Sequence, residues 1–102
     1  MRKIIDGKAY NTETAEEMGY WWNGLGTNDF SHCTERLYRT KKGSYFIYGE
    51  GGPSSVYRER AGDMWASGND IRPLTVTEAR EWAEKHLNAD EYEAIFGEVE
   101  EA

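Results

Sequence analysis

From Thr75 onward apolar residues recur at three- and four-residue steps, at Ala79, Trp82, Ala83 and then His86 or Leu87, while Glu78, Glu81, Glu84 and Lys85 fall on the opposite side. That period predicts an amphipathic helix over 75–87 with Trp82 against a sheet. Thr75 and Glu78 have capping-box spacing, and Glu81 to Lys85 is a favourable i,i+4 pair. A second capping pattern, Asn88-Ala89-Asp90-Glu91, opens a shorter helix that presents Tyr92, Ile95 and Phe96 on one face and stops at Gly97. Residues 98–102 read as a frayed acidic tail.

Upstream the period is shorter. ERLYRT and SYFIYGE flank Lys41-Lys42-Gly43, which predicts a hairpin of 35–40 and 44–49 with the glycine at the turn. SVYRER predicts a third strand and DIRPL a fourth, which Pro73 confines to an edge or to its end. Asp6-Gly7 in KIIDGKAY marks a tight turn between two brief strands. In NTETAEEMG the Thr14–Glu17 spacing and Gly19 predict a short helix, and GYWWNGLGTNDFSHC reads as an ordered loop anchored by Tyr20, Trp21, Trp22, Leu25 and Phe30. The expected fold is therefore α+β. A three- to four-stranded antiparallel sheet is packed by a C-terminal helix pair, with a short N-terminal helix, in one domain of residues 1–102.

Composition sharpens this picture in two ways. Only 38% of residues are hydrophobic but 14% are aromatic, so the core is built from a few large rings rather than many aliphatic side chains. That aromatic content also argues against intrinsic disorder. No apolar run approaches 18 residues and no signal-like segment is present, so the expectation is a cytoplasmic protein with no membrane contact. Cys33 is the only cysteine, which rules out an intramolecular disulfide and a cysteine-rich zinc site.

Charge changes the picture more. Acids and bases balance over residues 1–77, whereas residues 78–102 carry nine acids against Arg80 and Lys85. The whole net charge of −7 thus belongs to the helical end. Such an end repels phosphates and attracts basic surfaces.

The chemistry-bearing residues are sparse. Gly49-Glu50-Gly51-Gly52 matches neither a P-loop nor a dinucleotide fingerprint and is followed by Pro53, so it reads as a turn between strands. His32, His86 and Cys33 are the only soft or borderline metal ligands, and no calcium-loop pattern occurs, so no metal or other cofactor is expected. Cys33 with His32 or His86 is the only Cys–His pair for nucleophilic catalysis, and the serines lack a nucleophile elbow, so no catalytic residue is assigned and an enzyme is not expected. His86 reads as a packing residue beside Trp82. Arg36, Arg39, Lys41, Lys42, Arg58 and Arg60 lie among tyrosines, a pattern that can bind single-stranded nucleic acid but that also protects turns and edges. The acidic end opposes direct nucleic-acid binding.

Three stretches, IIDGKAYNTETAEE, LYRTKKGSYFIYGEGGP and DIRPLTVTEAREWAEKHLNADEYEAIFGE, together resemble a group of small acidic proteins of Firmicutes phages and mobile elements, and the resemblance spans nearly the whole chain. It brings no catalytic or binding residue with it. It implies a setting in which short, acidic, non-enzymatic proteins occupy the nucleic-acid surface of a host defence protein, as anti-CRISPR and anti-restriction inhibitors do.

Two functions follow. In the first, Glu78, Glu81, Glu84, Asp90, Glu91 and Glu93 dock on a basic or nucleic-acid-binding surface of a host protein as a partial nucleic-acid mimic. In the second, Tyr20, Trp21, Trp22 and Trp65 form a small-ligand or peptide-binding cleft.

Overall fold

A computed structural model describes residues 1–102. Its centre is a four-stranded antiparallel sheet of β3 (Glu16–Trp22), β4 (Cys33–Arg39), β5 (Tyr45–Gly51) and β8 (Gly68–Leu74), in the order β3-β4-β5-β8. Two small hairpins stand outside this sheet: β1 (Arg2–Ile5) with β2 (Lys8–Asn11), and β6 (Glu59–Ala61) with β7 (Met64–Ala66). Two helices end the chain, α1 (Val76–His86) and α2 (Ala89–Phe96).

Alternation along the strands assigns the two faces of the sheet. Leu37, Tyr45 and Ile47 meet Ala79, Trp82 and Ala83 of α1, with Met18, Trp21, Leu87, Tyr92 and Phe96 closing around them. On the other face Tyr38, Phe46 and Ile71 are covered by Ile5 and Tyr10 of the first hairpin. Tyr38 stacks on Phe46 at 5.1 Å, and Tyr10 meets the same ring edge-on at 5.6 Å. The sheet is thus sandwiched between the helix pair and the β1–β2 hairpin. Few aliphatic residues suffice because each aromatic ring buries a large area.

Most expected elements are present. The central hairpin pairs Arg36 with Tyr48 and Leu37 with Ile47, and Gly43 at φ 89° supplies the left-handed turn residue. β8 forms an edge, so Pro73 lacks its N–H where no neighbouring strand requires it. Both helix caps form complete capping boxes, Thr75 with Glu78 and Asn88 with Glu91.

Three expectations fail. The N-terminal helix does not exist: Asn11 closes a turn by accepting the N–H groups of Thr14 and Ala15, and Glu16–Trp22 then forms strand β3. A helix this short is marginal alone. The strand instead pairs with β4, places Met18 and Trp21 on the core and sets Glu16 and Glu17 against Arg39 and Arg36. For the same reason Tyr20, Trp21 and Trp22 belong to a strand rather than a loop. The third failure is SVYRER, whose end joins the separate β6–β7 ribbon while β8 takes the place beside β5.

Candidate functional site

The six acidic candidates lie on α1 and α2, but they are not equivalent. Steps of three residues rotate by about −60° around a helix, so Glu78, Glu81 and Glu84 form a slowly turning stripe on α1. All three are exposed. Glu78 also reaches back to the Thr75 N–H, and that bond, together with the Thr75 side chain, holds its carboxyl below its ordinary range. Glu91 likewise accepts the Asn88 N–H, and Glu93 accepts the N–H of Val99, tying that residue back onto α2. Glu81, Glu84 and Asp90 have no such local bond.

Ion pairing divides the molecule. Glu16, Glu17, Glu35 and Asp70 in the strands each lie within 4 Å of a basic group, whereas none of the nine carboxylates after residue 77 does. Arg80 is turned toward the Phe96 ring, 5.6 Å from its centroid. The helical end therefore presents negative charge that its own two bases leave uncompensated.

The aromatic candidates do not converge. Tyr20 lies under the Arg36 guanidinium on one face of the sheet, and Trp21 turns to the other, its ring tilted against His86 with centroids 4.4 Å apart. Trp22 donates its indole N–H to the Leu25 carbonyl. Trp65 stands on the β6–β7 ribbon beside Arg58 and Arg60, 4.3 and 5.1 Å from the ring centroid. Of the four rings, only Trp21 lines one of the five main clefts.

A different constellation surrounds Glu35, which neither candidate set included. Cys33, Glu35 and Leu37 share one face of β4, so Glu35 lies at the margin of the helix-packed core, its side chain nine-tenths buried. Trp82 donates its indole N–H to Oε1 at 3.0 Å, and the Tyr57 hydroxyl donates to Oε2. His86 Nε2 and an Arg72 guanidinium nitrogen each stand 3.9 Å away. One carboxylate thus links β4, the loop after β5 and α1. Burial, then the bond to Glu35, keeps the Tyr57 phenol protonated far above its ordinary range. Burial lowers His86, with Glu35 opposing and Lys85 adding to the shift, and burial with Glu35 raises the Cys33 thiol. Cys33 is therefore a poor nucleophile, since reactive cysteines need the opposite shift. One pattern in the sequence pointed here: Glu35 has the same strand parity as Leu37, and Gly49 faces it across the ladder.

The glycine corner belongs to this site. Gly49 and Gly51 lie within β5, not in a turn, and the chain turns only from Pro53 onward. A Cβ on Gly49 would overlap the Tyr57 ring, and one on Gly51 would lie 2.6 Å from the His32 carbonyl. These glycines permit close approach rather than ligand cradling.

His32 sets its Nδ1 2.7 Å from the Leu25 carbonyl oxygen. No group of three His, Cys, Asp or Glu side chains is placed to hold a metal ion. No helix is long and apolar enough to cross a membrane. Compared with known proteins, the chain matches no family model, no curated protein sequence and no solved structure.

Proposed function

We propose that this chain is a non-enzymatic binding protein whose acidic helical end docks on a basic, nucleic-acid-binding surface of a host protein. Glu81, Glu84 and Asp90 carry most of the docking charge, and Glu78, Glu91 and Glu93 add to the field while also holding the helix ends. An anti-CRISPR or anti-restriction inhibitor is the class that the sequence resemblance implies. The supporting observation is the division of ion pairs: Glu16, Glu17 and Asp70 in the strands lie within 3.6 Å of a base, whereas no carboxylate of the helices lies within 4 Å of one. Unmatched charge on an ordered, capped scaffold is preorganised for a complementary surface.

The test is capture of partners from host lysate at low salt, with a Glu81→Gln, Glu84→Gln, Asp90→Asn variant and a Lys41→Glu, Lys42→Glu variant in parallel. A basic partner that is displaced by duplex DNA, retained by the lysine variant and lost by the carboxylate variant supports docking through the helices. A partner that ignores the carboxylate changes and is lost with the lysines places the site on the β4–β5 turn instead.

A further inference from the structure

We infer that the cleft above Glu35 is a receptor for one arginine side chain, supplied by the basic surface on which the helical end docks. This deepens the proposed function and rests on it.

The Glu35 carboxylate is desolvated yet lacks a close base. A carboxylate offers about four acceptor positions. Trp82 and Tyr57 fill one on each oxygen. The nearest cationic or potentially cationic groups, Arg72 and His86, stand at 3.9 Å, beyond hydrogen-bond reach. Burying a carboxylate without a directly bonded cation is costly, and a cation supplied on binding would offset that cost. The carboxylate is also reachable, because Glu35 lines the floor of a cleft of about 310 Å³ between β3, the loop after β5 and the end of α1.

The walls of the cleft suit a guanidinium. Trp21 and His86 form one side, their rings tilted 39° to each other with centroids 4.4 Å apart, and Asn23 and Ser54 add polar groups. Arginine stacks on aromatic faces and bonds a carboxylate through a planar fork, so it can use the free position on each oxygen together with the rings. A lysine ammonium is a compact, strongly hydrated point charge and exploits the planar surface less. Lys85, on the rim, opposes any incoming cation. Its removal should therefore tighten binding.

The probe is Nα-acetyl-arginine amide, titrated into ¹⁵N-labelled protein while the four indole N–H resonances are followed. Nα-acetyl-lysine amide and the neutral isostere Nα-acetyl-citrulline amide serve as comparisons. Saturable shifts of the Trp82 and Trp21 indoles are expected with arginine, at lower affinity with lysine and not with citrulline. Glu35→Gln should abolish saturation, and Lys85→Gln should strengthen it. The inference is overturned if arginine leaves those two indoles unmoved, if citrulline shifts them equally, or if folded Glu35→Gln binds as the parent does. Should Glu35→Gln fail to fold, the arginine–citrulline comparison on the parent protein decides alone. No host partner enters this titration, so failure here leaves docking by the helices intact, and failure of lysate capture leaves the cleft intact.

Discussion

The Tyr57 ring occupies the space that a side chain at position 49 would fill, and Gly49 is the residue that lets it pass across β5 to reach Glu35. A backbone position in the middle of a strand thereby sets the geometry of a buried carboxylate on the neighbouring strand.

Gly49→Ala should destabilise the fold by about 1–3 kcal/mol, the usual cost of forcing extra volume into a packed site. Urea denaturation measures it. Tyr57→Ala in the same chain should make the two costs less than additive, because the second change removes the ring that the first one strikes. Strict additivity would show that the ring is not the obstacle.

Trp82 contributes both area and a hydrogen bond, and two substitutions separate them. Trp82→Ala should cost about 3–5 kcal/mol. Trp82→Phe keeps much of the packing against Leu37 and Ile47 but leaves Glu35 with one donor fewer, at about 1–3 kcal/mol. Equal effects of the two variants would mean that packing is a minor part of what Trp82 supplies.

Stability should fall as pH drops below about 6.5, the ordinary histidine value. Burial lowers the His86 pKa in the folded state, so in this window the unfolded chain binds the proton more readily. Protonation thus favours unfolding, starting as pH falls through the unfolded value and levelling off below the folded one. Denaturation midpoints at pH 8, 7, 6 and 5 should show the loss, and His86→Gln should flatten it. A midpoint that rises on acidification would mean that the attraction to Glu35 outweighs burial.

The helix acids should divide into structural and solvent-facing sets. Glu81→Gln, Glu84→Gln and Asp90→Asn together should change stability by no more than about 1 kcal/mol, chiefly through the charge of Asp90 in the first turn of α2. Thr75→Ala removes an N-cap and should cost about 0.5–2 kcal/mol alone. Thermal melts compare them directly. A triple variant that unfolds would assign those carboxylates to the fold instead of to a partner.

Local signals were enough wherever an element's own residues decide its form. Thr75 with Glu78 and Asn88 with Glu91 cap both helices because capping partners lie three residues apart in the chain. Gly43 closes the β4–β5 hairpin because the turn needs one left-handed residue. The concentration of acids after residue 77 was equally plain, since charge is counted without knowing the fold.

Tertiary structure decided what depends on residues far apart. Residues 14–19 carry a capping pattern that suits a helix, but pairing of Glu16–Trp22 with β4 and packing of Met18 and Trp21 against the core covered by α1 outweigh so short a local preference. Residues 59–61 became part of a separate ribbon because β8, from later in the chain, occupied the place beside β5. Glu35 reads in sequence as one polar residue in an amphipathic strand. It becomes the centre of a site only because α1 brings Trp82 and His86 from 47 and 51 residues away and Gly49 admits Tyr57. Caps and turns are short-range and written in neighbouring residues, whereas a buried polar cluster is defined by the atoms that meet there, and the folded backbone alone determines that meeting.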